Sequence, residues 1–248
     1  MARVLDIIIF GATGFTGKHT IPVVSKFSKI NGHHLTWGVA GRSEKKLKDS
    51  LSQCEKETGK IIEAPSYTVF SIIDTSYSGI SLNNVPVIIA NVEDEESLNA
   101  MARKARIIIN CCGPYRFYGE PVIKACVEEG THHVDVSGEP QYMEKMQLKY
   151  HKLAQEKGIY IISACGVDSI PTDLGLVFLQ QKFTGTVNSV NTYMSNWEEG
   201  EPIPGPIFNY ATWESAIYGL AHAGELRKLR QQLHSKPLPS LKPKLEAK

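Results

Sequence analysis

The chain has 248 residues, 42% of them hydrophobic and 21% charged, with a formal net charge of +1. This is the composition of a folded globular chain, and the near-neutral charge argues against a nucleic-acid partner. No stretch approaches the ~18–20 consecutive apolar residues of a membrane span. Asp6 interrupts the first apolar run and a glycine loop follows at once, which argues against a secretory signal.

Apolar runs alternate with amphipathic segments along the chain. "VLDIIIF" (4–10) predicts a buried strand, short, β-branched and stopped by Gly11. "KHTIPVVSKFSKI" (18–30) predicts a helix with Pro22 near its first turn. "LTWGVAG" (35–41) predicts a second strand. A helix over 43–59 follows, with Ser43 as its N-cap. Residues 60–84, rich in Ser and Asn, read as a surface excursion. "VPVIIANV" (85–92) is a third strand. The helix at 93–105 is acidic at its start and basic at its end, as the helix dipole favours. Then come a strand at 106–113, a helix at 120–130, a strand at 132–138, a helix at 141–158 and a strand at 159–166. Six strands alternating with helices predict an α/β, doubly wound, parallel Rossmann sheet.

Beyond this the pattern changes. The reading is a dinucleotide-binding domain over 1–185, the beginning of a truncated α+β second domain over 186–233, and an extended basic tail over 234–248. The second part opens with a strand at 187–197, then a Gly/Pro loop, then a helix from about Ala211. One strand and one helix are too little to bury their own apolar face. Trp197, Phe208, Trp213 and Tyr218 are therefore expected to be partly exposed.

The first strand-to-helix turn carries the clearest chemical signal. Gly11, Gly14 and Gly17 stand at a spacing of three, with Thr13, Phe15 and Thr16 between them. Gly11 lets the chain leave the strand sharply, Gly14 clears the approach of a pyrophosphate, and Gly17 lets the helix pack close to the sheet. The helix N-terminus offers its N–H groups to phosphates. The bland alternative is a glycine turn that serves packing alone. A cation, Arg42, followed by Ser43, stands after the second strand, where an NAD site places an acid. A guanidinium suits a 2′-phosphate, so NADP(H) is the predicted cofactor, with NAD(H) the alternative. The competing reading makes these residues solvated charges at a helix start.

The fourth strand ends in "NCCGPYRFYGEPV", placing Gly113, Pro114 and Tyr115 beside the nicotinamide. The fifth strand ends in "DVSGE", which puts Asp135, Ser137 and Glu139 at the same sheet edge, and the sixth ends in "CGVDSIPTDLG", which supplies Asp168 and Ser169 at a helix start. Tyr115 and Asp168 are the candidate catalytic acids, although Asp168 and Ser169 also suit simple helix caps. Five cysteines (54, 111, 112, 126, 165), odd in number and lacking a Cys-x-x-Cys, predict reduced, mostly buried thiols and a reducing compartment. Neighbours on a strand point to opposite faces, so His33–His34 and His132–His133 make poor metal chelates, and Cys111–Cys112 read as core rather than as a nucleophile. No metal site is expected. A Tyr-x-x-x-Lys pair is missing after the fifth strand, which argues against an ordinary short-chain dehydrogenase.

Together, "FGATGFTGK", "AGRSEKKL", "NCCGPYRFYGEPVIKACVEEG", "DVSGEPQYM", "GVDSIPTDLG" and "WESAIYGLAHAGELRKLR" resemble the saccharopine dehydrogenase-like oxidoreductases, over residues 5–233 or so. The resemblance implies a Rossmann domain followed by a second domain, hydride transfer to or from a small-molecule, lipid-related substrate, and association with a lipid droplet or membrane surface. It leaves a homo-oligomer open. It also implies that the family continues past residue 248, so that this chain matches its N-terminal portion. The rival class is a non-catalytic NADPH-binding or sensor protein, which the same glycines and Arg42 would serve.

Overall fold

A computed structural model describes residues 3–29, 34–58, 81–193, 195 and 209–234. Six strands form one parallel sheet: β1 (Leu5–Phe10), β2 (Trp37–Gly41), β3 (Val87–Ile89), β4 (Ala105–Asn110), β5 (His132–Asp135) and β6 (Ile161–Ile162). Their spatial order is β3-β2-β1-β4-β5-β6. The sequence order thus reverses between β1 and β4, which defines the switch point of a doubly wound sheet. There Ile7 pairs with Ile107 and Phe10 with Asn110.

Alternation along β1 explains why both faces are covered. Ile8 and Phe10 pack with Ile108 and with Leu98 and Val122 of the helices on one side. Ile9 packs with Val39, Ile21 and Leu47 on the other. The helices on the second face are α1 (Phe15–Phe27) and α2 (Glu44–Thr58). On the first lie α3 (Glu95–Lys104) and α4 (Tyr115–Glu129). A third cluster joins α4 to α5 (Pro140–Glu156) through Tyr115, Ile123, Tyr142 and Met146. Full burial of each such side chain contributes about 1.5–3 kcal/mol, so the strand runs and helix stripes together hold the switch point rigid.

Several boundaries differ from the sequence expectation. The first helix begins at Phe15 because Gly14 already has the extended backbone of an N-cap, so Pro22 lies in the helix interior. Helix α4 begins at Tyr115, not Glu120, and runs through Gly119 and Pro121. Gly119 is there because a Cβ would stand 2.4 Å from the Tyr142 ring. The expected 60–84 excursion falls outside the described residues up to 80, as do Trp197, Phe208, His33 and the tail from 235.

After β6 come α6 (Ile170–Lys182), α7 (Tyr210–Ala221) and α8 (Glu225–Leu233), none with a buried residue. The strand expected at 187–197 is not formed over 187–193, where no neighbouring strand offers backbone partners among the described residues. Trp213 is 60% exposed, and Leu174 and Phe178 of α6 are similarly open. Tyr218 is half-buried, edge-on to Phe117 of α4. Among the described residues no helix is long and apolar enough to cross a membrane.

Candidate cofactor site

The C-terminal ends of β1, β2 and β4 meet at the switch point. The N–H of Gly11 donates to the Ala40 carbonyl (3.0 Å), and that of Cys111 to the Phe10 carbonyl (2.8 Å). These bonds draw the glycine turn, the β2 end and the β4 end into one crevice floor. Gly11 adopts φ = +81°, and a Cβ there would also meet Cys112 Sγ at 2.6 Å. Only glycine is compatible with both demands. Gly17 is buried, and its Cβ would collide with the Gly11 carbonyl. Gly14 is exposed, and its Cβ would touch only the Gly11 oxygen, at 3.3 Å.

The two helix starts facing this floor are electrostatically unlike. The N-terminus of α1 has no side-chain cap. Lys18 N–H bonds to the Gly14 carbonyl, which leaves the N–H groups of Phe15, Thr16 and Gly17 at the first turn, where the helix dipole favours an anion. The N-terminus of α4 is filled instead: Glu139 Oε1 accepts from Tyr115 N–H and Oε2 from Arg116 N–H, both at 2.8 Å. A pyrophosphate therefore fits α1 and is excluded from α4. Thr13 and Thr16 are half-buried around the turn, and Phe15 is 61% exposed, edge-on to His19.

Arg42 follows directly on β2, is exposed, and has no hydrogen bond or ion pair among the described residues. Its charge reaches Cys112, which places it beside the crevice. Ser43 Oγ accepts from Lys46 N–H at 3.4 Å, a weak N-cap for α2. A free guanidinium at this edge fits a 2′-phosphate. Cys111 and Cys112 turn to opposite faces of the sheet, as strand alternation requires. Burial pushes their thiols up to about 11 and about 12, so neither is a ready nucleophile.

The two candidate acids separate sharply. Tyr115 is 6% exposed, stacks on Tyr142 and donates to the Asn110 carbonyl at 2.8 Å. Burial pushes its hydroxyl far above the ordinary tyrosine value. It anchors the start of α4 and does not present a proton to the crevice. Gly113 and Pro114 form the backbone that leads into it. Asp168 stays exposed, its carboxylate accepting from Ser169 Oγ at 3.3 Å, while its carbonyl accepts from Thr172 Oγ1. Ser169 makes no side-chain cap.

Asp135 and Glu139 sit at the edge where the sequence placed them, but both carboxylates are turned inward. Asp135 is fully buried and accepts from Ser137 N, Ala164 N, Ser163 Oγ and Tyr142 Oη. It ties β5, the β6 loop and α5 together. His133, also fully buried, faces the Asn110 amide with Nε2 (3.4 Å). Asn110 Oδ1 already accepts from Cys112 N, so its amide nitrogen is the donor and His133 Nε2 the acceptor. Its Nδ1 has no hydrogen-bond partner and lies 4.0 Å from Asp135. The sequence offered no signal for Asn110 beyond its being a polar residue at a strand end, and it singled out His133 only as half of a His132–His133 pair ill-suited to a metal.

A six-stranded 3-2-1-4-5-6 sheet with an open glycine-rich α1 N-terminus and a cation after β2 defines a dinucleotide-binding Rossmann protein. The description "Saccharopine dehydrogenase NADP binding domain" matches residues 7–162, and the chain belongs to that family of NADP-binding domains. It is 40% identical over 246 residues to the saccharopine dehydrogenase-like oxidoreductase of Bos taurus, covering 98% of this chain and 52% of the relative. A Caenorhabditis elegans lipid droplet localized protein is 42% identical over 221 residues, or 88% of this chain and 45% of that one. The chain thus spans about half the length of these curated relatives. The apo saccharopine dehydrogenase (L-Glu forming) structure from Saccharomyces cerevisiae superposes with a TM-score of 0.50 at 14% identity, over 72% of this chain and 31% of that one, a likeness of fold.

Proposed function

We propose that the protein is an NADP(H)-dependent oxidoreductase that transfers a hydride to or from a small, lipid-related substrate. The observation that carries the cofactor half is the unlike state of the two helix starts: α1 open, α4 filled by Glu139. In this reading Gly11, Thr13, Gly14, Phe15, Thr16 and Gly17 cradle the pyrophosphate, and Arg42 and Ser43 take the 2′-phosphate and ribose. Gly113, Pro114 and the backbone of Tyr115 flank the nicotinamide. Bound there, NADPH would supply a hydride to an electrophilic carbon of the substrate and become NADP⁺, with a proton from solvent or from an acid open to the substrate completing the product. Of the two acids considered, Asp168 is the one open to a substrate.

The lipid part rests on the name of the worm relative and on the apolar side chains exposed on α6 and α7, Leu174, Phe178, Trp213 and Leu220 among them. Such a surface suits a droplet monolayer. Titration with NADPH and NADH tests the cofactor, and loss of reduced-nicotinamide absorbance across a panel of lipid aldehydes, ketones and enoyl esters tests turnover. Tight NADPH binding with no oxidation by any of them would favour a sensor. Co-flotation with triacylglycerol droplets coated in phospholipid tests the surface, and an unbound chain would refute that part.

A further inference from the structure

Glu139 makes more contacts than a helix cap requires. Its backbone begins α5, where its carbonyl accepts from Met143 N–H. Its own N–H donates to Ser137 Oγ. Glu139 is 5% exposed, and its carboxylate holds Tyr115 N–H and Arg116 N–H, the first two amides after Gly113–Pro114. The carboxylate has a third partner: Ser215 Oγ of α7 donates to Oε1 at 3.0 Å. That hydroxyl comes from beyond the Rossmann sheet, 76 residues further along the chain.

Other contacts repeat the link around the same point. Arg116 pairs with Glu225 of α8 (2.7 Å), and Phe117 lies edge-on to Tyr218 of α7. Gln141 donates to the Gly219 carbonyl (2.8 Å), and Arg230 forks onto Glu144. The exposed pairs contribute little each. The buried carboxylate is different in kind: three donors converge on it, and charge-assisted bonds of this sort are the strong ones. It is the point where α7 meets the segment that leads from β4 into α4.

We infer that Glu139 is a positioning residue: through the start of α4 it fixes the Gly113–Pro114 backbone against the nicotinamide half of the cofactor, and through Ser215 it couples that backbone to the docking of α7. The inference rests on the proposed cofactor site. Because Glu139 touches the α4 side and not the α1 turn or Arg42, its effect falls on the nicotinamide half of the ligand alone. A residue that merely supported the fold would weaken both halves together.

The test compares NADPH with adenosine 2′,5′-bisphosphate, which carries the 2′-phosphate but no nicotinamide. Glu139→Gln keeps the side-chain size but presents an amide NH₂ to one of two N–H donors. It should weaken NADPH roughly tenfold, the scale of a charged hydrogen bond, and leave the bisphosphate unchanged. Ser215→Ala should weaken NADPH about threefold, again without effect on the bisphosphate, and add nothing in the Glu139→Gln background. Unchanged bisphosphate affinity also certifies that the variants are folded. Equal losses for both ligands, or no loss of NADPH, would overturn the positioning role. A native NADPH affinity in Ser215→Ala would overturn the coupling to α7. If the unaltered chain binds neither ligand, the cofactor site itself is wrong.

Discussion

The carbonyl of Gly11 lies directly against α1 at Gly17, so that a Cβ at position 17 would stand 2.2 Å from the Gly11 oxygen. Both contacting groups are backbone, and neither can rotate away. Gly17→Ala must push the helix off the turn, with the cost of an overpacked core, about 1–3 kcal/mol. It should lower the melting temperature and weaken NADPH together. An unchanged melting temperature would show that turn and helix separate freely.

Gly14 sets the opposite expectation. Its Cβ would meet only one oxygen, at 3.3 Å, and otherwise faces the open N-terminus of α1. Gly14→Val should leave the circular dichroism spectrum intact and abolish NADPH binding, because the branched side chain would occupy the pyrophosphate approach. Retained affinity in the folded variant would assign the glycines to packing alone.

Arg42 is predicted to choose the cofactor. Arg42→Ala should weaken NADPH by about 1.5–3 kcal/mol, the range for a hydrogen bond to a charged group, and leave NADH nearly unchanged. Titration of both cofactors decides this, since equal losses would mean that Arg42 contacts a part they share.

His133 predicts a pH dependence of stability. Burial holds its pKa down to about 4 against an ordinary value of 6.5, and the nearby Asp135 only partly opposes this. Between these values the unfolded chain binds a proton that the folded chain refuses. Stability is therefore full above pH 6.5 and falls as pH drops towards 4, by up to ~3 kcal/mol from this one group. Urea unfolding across that window should show a shallower slope in His133→Gln, whatever its absolute stability. The same slope in both would move the effect to other groups.

Gly119 is the helix-interior glycine that the α4–α5 contact demands. Its Cβ would approach the Tyr142 ring to 2.4 Å, and Tyr142 is held in place by Asp135. Gly119→Ala should therefore destabilise the protein despite alanine's higher helix propensity. A rise in the melting temperature would show that the ring can move.

The sequence by itself determined the six strands, the two-faced cover and the glycine turn, because each rests on local pattern: β-branched runs, helical spacing and a backbone that needs glycine. Arg42 was legible in the same way, by its place after a strand. The predicted cofactor, NADP(H), rested on that cation. Tertiary structure decided what local pattern cannot carry. "PYRFYG" (114–119) precedes the helix predicted from 120, yet α4 starts at Tyr115, since Glu139, 24 residues on, caps it and Tyr142 leaves no room for a side chain at 119. Tyr115 reads as an acid at the crevice, but packing on Tyr142 turns its hydroxyl to the Asn110 carbonyl. Asp135 and Glu139 read as crevice carboxylates, and both face inward to partners on other elements. Whether a polar side chain at a sheet edge meets solvent or a buried donor depends on chain segments far away in sequence, which the local sequence does not specify.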